Sequence, residues 1–308
     1  MDWRFKAAAH NIFSYVPKGH RLNKLFQTHV THSDRLTDAS FLDIVTWAVS
    51  HMQTIKRHEY RALDELRFFE FGAGYHLIGP LTFFAYGINR QIVTDVTPLL
   101  RPDMVNQTIA NFIRFERELG LPRIPRCPLD LQNPTTSLKQ LYGIDYRAPS
   151  DSRSTKMPSS SFDWITSTST LEHISPDDIR ATLRECYRLL RPDGRMSMSV
   201  DYADHYAFFD TSISEYNFLR YSDLMWKLFS PPLHFQNRLR HSDYLALFQE
   251  AQFKIVEQQR RDGRPSDIAT LRELRLNKTF AKYAIDDLAA RGAYFVLGRG
   301  DRTSAKLN

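Results

Sequence analysis

Cysteine is scarce in this chain: Cys127 and Cys186 are the only two among 308 residues. Two thiols cannot build a disulfide framework, and neither stands at metal-ligand spacing. Cys186 falls in a helical pattern and reads as core. No run of 18 apolar residues occurs, so no membrane span is expected. The opening Met1-Asp2-Trp3-Arg4-Phe5-Lys6 lacks the apolar core of a signal peptide, which makes cytoplasmic residence the default expectation. Internal repeats and low-complexity tracts are absent too. Lysine and arginine outnumber acids by 41 to 35, a net charge of +6. The basic residues are scattered, and no nucleic-acid-binding module is visible, so no nucleic-acid partner is expected. A mildly basic surface weakly favours an anionic metabolite instead. With 42% hydrophobic residues, the chain can bury a sizeable core as one enlarged domain or one domain with a cap.

Against these absences, Arg67-Phe68-Phe69-Glu70-Phe71-Gly72-Ala73-Gly74 stands out. An apolar run ends in a Gly-x-Gly turn, and glycine is poorly tolerated inside strands, so the pair marks a sharp exit. A second short apolar run, Gln91-Ile92-Val93-Thr94, ends in Asp95. Dinucleotide-binding folds place an acid about 20 residues past the glycines, where it grips ribose hydroxyls. The third glycine of that fingerprint is missing, since position 77 is Leu77, and Glu70 would repel a diphosphate. A nucleoside without phosphates fits better, and S-adenosylmethionine, with its sulfonium cation, is one.

Three further stretches extend the pattern: Asp151 through Pro158-Ser159-Ser160-Ser161-Phe162-Asp163-Trp164-Ile165, then Leu171-Glu172-His173-Ile174, then Leu189-Leu190-Arg191-Pro192-Asp193-Gly194. In this order they resemble the class I S-adenosylmethionine-dependent methyltransferases, in the group acting on small molecules. The resemblance covers residues 60–200 well and 238–298 more loosely. Met157-Pro158 stands where Leu-Pro is usual, and Asp193 replaces the first glycine of the final turn. The resemblance implies a Rossmann-like, seven-stranded α/β sheet with helices on both faces, and S-adenosylmethionine as cofactor.

Alternation of strands and helices independently indicates a parallel sheet. Strands are expected at 67–71, 91–95, 142–147, 162–168, 194–201, 253–258 and 293–298, the last antiparallel by resemblance. Helices are expected at 76–86, 103–119, 176–190 and 241–251. The proline-rich segment 121–140 reads as a loop. Phe41, Ile44, Val45, Ala48, Val49 and Met52 recur three and four apart, the spacing of one helix face. Residues 1–60 are read as a helical cap over the cofactor site, with an ordinary structural extension as an equal alternative. Residues 61–300 then form the methyltransferase domain, 202–240 an acceptor-pocket insertion, and 301–308 a tail.

Ligands of open parallel sheets bind beyond the carboxyl ends of the strands. Glu70, Gly72, Ala73 and Gly74 follow the first strand, and by resemblance they surround the methionine part and ribose. Asp95 is expected on the ribose hydroxyls. Asp151 is expected on the adenine amine, in preference to Asp145, with the backbone of Ser152 on the ring. Ser167 and Thr168 are expected at the methionine end. For a base, His205 is the leading candidate, oriented by Asp201 or Asp204, with a pocket-lid role as the even alternative and His173 next. Asp201, Asp204 and His205 lack an evident fourth ligand, so no metal is expected. Tyr206, Tyr216, Arg220, Tyr221, Trp226 and Arg238 are candidate acceptor contacts. The reading is methyl transfer to a small molecule, with a hydroxyl of a sugar or secondary metabolite as acceptor. A lyase or cyclase using the same cofactor, and a non-catalytic scaffold, remain the alternatives. A homodimer is left open.

Overall fold

The computed structural model describes residues 2–17, 19, 22–23 and 36–300. The tail expected at 301–308 and part of the expected cap lie outside them. Seven strands form one sheet: β1 (Phe68–Phe71), β2 (Gln91–Thr94), β3 (Ile144–Arg147), β4 (Phe162–Thr168), β5 (Leu190–Asp201), β6 (Phe253–Arg261) and β7 (Gly292–Arg299). Their order across the sheet is β3-β2-β1-β4-β5-β7-β6. β1 to β5 pair in parallel, whereas β7 runs antiparallel between β5 and β6. Order reverses between β1 and β4, and that is where the carboxyl ends of an open sheet leave a crevice.

Both faces of the sheet are covered, which explains the unbroken burial of β1. On one face lie α7 (Pro176–Leu189) and α9 (His241–Glu250), over a core that includes Phe69, Ile165, Leu183, Met198 and Phe295. Ser175 caps α7 by accepting from the Asp178 amide, Pro176 opens it, and Asp177 and Asp178 complement its dipole. The other face carries α2 (Asp38–His58), α3 (Ile78–Ala85), α4 (Pro102–Arg114) and α6 (Pro134–Tyr142). A short α5 (Glu116–Leu119) follows α4. The break between them at Phe115 divides the single helix expected over 103–119.

Residues 134–140, expected as loop, belong to a helix that runs on to Tyr142, the expected start of the third strand. Pro134 occupies the first turn, where its missing N–H costs nothing, and Gly143 at φ 66° ends the helix. β3 therefore starts two residues later than expected.

The N-terminal region behaves as two parts. α2 is a layer of the fold: Phe41, Val45, Ala48, Met52 and Ile55 are buried under it. Its His51 is wholly enclosed, with Nδ1 2.6 Å from Ser197 Oγ and Nε2 3.1 Å from Thr168 Oγ1. Burial drops the His51 pKa to about 3, so the ring is neutral. α1 (Trp3–Tyr15) instead packs on α8 (Asp223–Phe229) and the short 3-10 helix Pro232–His234. Trp3 joins Tyr206, Tyr216, Phe218, Trp226 and Phe280 in a separate aromatic core. Two helices not expected from the sequence, α10 (Pro265–Glu273) and α11 (Ile285–Ala289), complete this layer. Among the described residues no helix is long and apolar enough to cross a membrane.

Candidate functional site

The carboxyl ends of β1, β2 and β4 surround a cavity of about 310 Å³, lined by Gly72, Gly74, Asp95, Ser150, Ser169 and Thr170 among others. A second cavity of about 570 Å³ adjoins it, lined by Asp151, Arg153, Tyr15, Lys227, Pro232 and Phe235 among others. Val96, Ser152, His173 and Ile174 belong to both walls. The volumes are of the order that small-molecule sites have, about 300–1,000 Å³.

Backbone shape makes the first cavity. Gly72 has φ 83°, and a Cβ there would fall 2.2 Å from Thr170 Oγ1. Gly74 has φ 65°, and a Cβ there would stand in open space at the cavity wall. Both positions thus need glycine, one for a close approach and both for a left-handed backbone. Asp95 holds the turn: its Oδ2 accepts from the Gly74 amide at 3.1 Å and its Oδ1 from Thr97 at 3.0 Å. A carboxylate oxygen has two lone pairs, so each oxygen can accept one more donor, as a vicinal diol requires.

Other expected residues stand elsewhere. Glu70 is buried below the cavity; Thr166 Oγ1 donates to it at 3.1 Å, and Gly79 of α3 lies over it. Burial pushes its pKa up to about 7. It supports the β1–α3 connection and is not among the residues lining the cavity. Ala73 is partly buried and packs against the core that includes Phe41, Leu77 and Val105. Ser167 is buried inside the sheet, and Thr168 faces His51 of α2. Side chains alternate along a strand, so the contacts pass to the turn beyond it, Ser169 and Thr170. The positive φ of Ser169, 47°, is what aims that turn, and no sequence signal marked it. Asp151 does line the second cavity. Arg153 engages its carboxylate and lowers its pKa. Asp145 lies one residue into β3 and pairs with Arg147 and Lys139, away from the carboxyl end.

The acceptor side differs most from expectation. Tyr206 donates to the Phe229 carbonyl, Tyr216 to that of Ala289, and Trp226 to that of Gln236. Arg238 donates to the Phe218 carbonyl and lies 4.9 Å over the Phe280 ring. Tyr221 packs edge-on against Trp3 and Phe229, and Arg220 is exposed. None of the six is among the described residues lining either cavity. Tyr206, Tyr216 and Trp226 belong to the aromatic core under α1, with Tyr221 packed against it. The walls come from Tyr15, Lys227, Ser230, Pro231, Pro232 and Phe235, which only the packing of α1 against α8 assembles.

Asp204 is likewise structural. Wholly buried, it accepts from the Tyr206 amide and from Asn217 Nδ2, so it cannot orient His205. Asp201 stands 3.9 Å from His205 Nε2, beyond hydrogen-bond reach. Burial, with His173 and Lys6 nearby, lowers the His205 pKa to about 3. The His205 ring packs 4.9 Å from that of His173. His173 is the imidazole that both cavities share. Its Nδ1 lies 2.9 Å from the Phe235 carbonyl. A carbonyl only accepts, so Nδ1 carries the proton and Nε2 keeps a lone pair. Burial also lowers its pKa below the usual histidine value.

Residues 131–198 match the family model for a methyltransferase domain. That segment carries β3, β4, α7 and most of β5, and the sheet around it has the seven strands and the antiparallel last strand that the resemblance implied. Over that segment the chain is similar to methyltransferase domains, and its sheet has the Rossmann-like α/β form of the class I methyltransferases. A domain of this family takes S-adenosylmethionine as its cofactor. The glycine turn, the open space at Gly74 and the diol-ready Asp95 fit that molecule. No curated protein matches the chain. Among solved structures, the YcgJ protein from Bacillus subtilis is similar at 20% identity, covering 82% of this chain and 99% of that one, with a TM-score of 0.44. A SAM-dependent methyltransferase from Methanosarcina mazei is similar at 14% identity, covering 80% and 97%, with a TM-score of 0.43. The [4+2]-cyclase SpnF is similar at 13% identity, covering 82% and 81%, with a TM-score of 0.45. Likeness at this level fixes no reaction.

Proposed function

We propose that this methyltransferase domain moves a methyl group from S-adenosylmethionine to a hydroxyl of a small molecule, a sugar or secondary metabolite, held in the larger cavity. The supporting observation is His173, a neutral imidazole on the wall common to both cavities, with its Nε2 lone pair left for an acceptor proton. The cofactor, when bound, supplies an electrophilic methyl on a sulfonium. Asp95 takes the ribose hydroxyls, and the turn at Gly72 and Gly74 leaves room for the ribose and methionine part. Ser152 and Asp151 meet the base at the junction of the cavities. Tyr15, Pro231, Pro232 and Phe235 enclose the acceptor and exclude water, which keeps it aligned for an in-line displacement. Lys227 gives this wall a positive charge suited to an anionic acceptor. The His173 imidazole takes the hydroxyl proton at Nε2.

Incubation of the protein with the cofactor and a panel of hydroxylated, anionic metabolites tests the reading by mass spectrometry. A mass gain of one methyl group together with S-adenosylhomocysteine is the expected result. Turnover of a substrate without S-adenosylhomocysteine would favour the cyclase or lyase reading. Tight cofactor binding with no product across the panel would favour the scaffold.

A further inference from the structure

Glu172, His173 and His205 come from two connections, one after β4 and one after β5. Each offers one donor atom, and the three atoms lie within 4.8 Å of one another. Glu172 is 1% exposed, and its Oε2 has no hydrogen-bond partner. Its other oxygen receives only a long contact, 3.4 Å, from the Asp201 amide. Nε2 of His205 is also buried without a partner. Unsatisfied buried polar atoms are costly and uncommon, and here two belong to the same cluster. The His173 Nδ1–H donated to the Phe235 carbonyl is the outer contact that metal-bound histidines have: it fixes the tautomer and leaves Nε2 for the ion.

We infer that Glu172, His173 and His205 form a binding site for a divalent cation of the zinc class beside the larger cavity, whose wall His173 lines. Two imidazoles and one carboxylate suit a borderline ion such as Zn²⁺ better than Mg²⁺ or Ca²⁺, which take oxygen. Metal–donor bonds of about 2.1 Å in a tetrahedron place donors about 3.4 Å apart. Side-chain rotations that bring the donors in by up to about 1.4 Å meet that geometry. Three protein ligands leave at least one position open, the arrangement of catalytic and not structural zinc sites. This set differs from Asp201, Asp204 and His205, the one weighed from the sequence: Asp204 is bound to the Tyr206 amide and Asn217, and Glu172 and His173 stand with His205 in place of the two aspartates. With the ion bound, the imidazole lone pairs are used, and activation of an acceptor hydroxyl passes to the ion, which lowers the pKa of an oxygen it binds. That last consequence rests on the methyl-transfer reading; the site itself does not.

The full chain, stripped with a chelator and titrated with Zn²⁺ by calorimetry, tests the site. One ion per chain at micromolar or tighter affinity is expected. Co²⁺ in its place should give visible absorption bands that Zn²⁺ abolishes. Glu172→Gln and His205→Asn should each weaken binding by at least about tenfold, with thermal melts of the ion-free variants confirming that they fold. His58→Asn, at the separate His58–Glu257 pair on the surface, should leave binding unchanged. Absence of stoichiometric binding by the wild type, or affinity that neither Glu172→Gln nor His205→Asn alters, would overturn the inference. Stoichiometric Zn²⁺ binding with no methylated product would keep the site and sink the reaction.

Discussion

The two adjoining cavities are built in opposite ways. The smaller one is a backbone construction: two left-handed glycines, one carboxylate that ties a turn, and a second turn at Ser169 and Thr170, all at the ends of neighbouring parallel strands. Its parts lie in short stretches of sequence, each next to a strand. The larger cavity is a side-chain construction assembled from α1, α8, the Pro231–Phe235 stretch and the Asp151 loop. α1 and the Asp151 loop are far in the chain from α8 and the Pro231–Phe235 stretch that follows it, and α1 meets them because Trp3, Tyr206 and Trp226 pack into a common core. The first design suits a fixed ligand, since any departure strains the backbone. The second tolerates changes of wall residue without changing the sheet, which is how one scaffold can serve different acceptors.

Four substitutions probe this contrast, beginning with the largest effect. If His173 takes the acceptor proton, His173→Ala should lower turnover by roughly 10²–10⁴-fold, as loss of a general base does, with little change in cofactor affinity. Its pKa lies below the ordinary histidine value, so the base form already dominates near neutrality. The wild-type rate should therefore rise only at acid pH and be flat above about pH 6.5. A rate that climbs through neutral pH would point to another base.

Glu70 tests the floor beneath the smaller cavity through stability. Its pKa is raised from 4.5 to about 7 by burial, so the folded chain holds this proton more tightly than the unfolded chain does. The stabilisation is full below pH 4.5 and is lost as pH rises through 7, a change of about 3 kcal/mol. Glu70→Gln should remove that part of the pH dependence, so that denaturant titrations at about pH 5 and about pH 8 differ less than they do for the wild type. An identical difference in both proteins would show that Glu70 does not titrate as its burial requires.

On the cofactor side itself, Asp95→Ala should weaken S-adenosylmethionine binding by about 1.5–3 kcal/mol, the range of a hydrogen bond to a charged group. Calorimetry on the folded variant measures it, and unchanged affinity would remove Asp95 from the ribose. The smallest effect belongs to the aromatic core. Tyr216→Phe removes one buried hydrogen bond, to the Ala289 carbonyl, and should cost about 1 kcal/mol of stability with no change in the acceptor's Michaelis constant. A raised Michaelis constant at normal stability would return Tyr216 to the acceptor wall.

Much of the fold could be read from the chain. All seven strands stand close to their expected positions, the inner parallel ones because hydrophobic runs and glycine exits mark buried strands locally. Gly72, Gly74 and Asp95 were legible for the same reason: the turn that makes the cavity is a property of a few consecutive residues. The helix at 134–142 was missed because proline punctuates both loops and first helical turns, and sequence spacing alone does not separate the two. Ser167 and Thr168 were chosen in place of Ser169 and Thr170 because the direction of a side chain at a strand end depends on where the strand stops, and on a backbone angle that serine seldom adopts.

Sequence by itself determined the strand pattern, the glycine turn with its acid partner, and the kind of ligand those can hold, since each follows from backbone sterics over a few residues. Only the tertiary structure decided which polar and aromatic residues of 202–240 reach a cavity. Tyr206, Tyr216, Trp226 and Arg238 have the composition of a binding wall, yet the three rings are buried in one core with Trp3, Arg238 lies over Phe280, and all four donate to backbone carbonyls. Tertiary structure likewise brought His173 and His205 to ring contact across 32 residues of chain and sealed Glu172 beside them. Whether an acid, an imidazole or a ring faces water, a ligand or a neighbour is set by what packs against it, and that neighbour is rarely near in sequence.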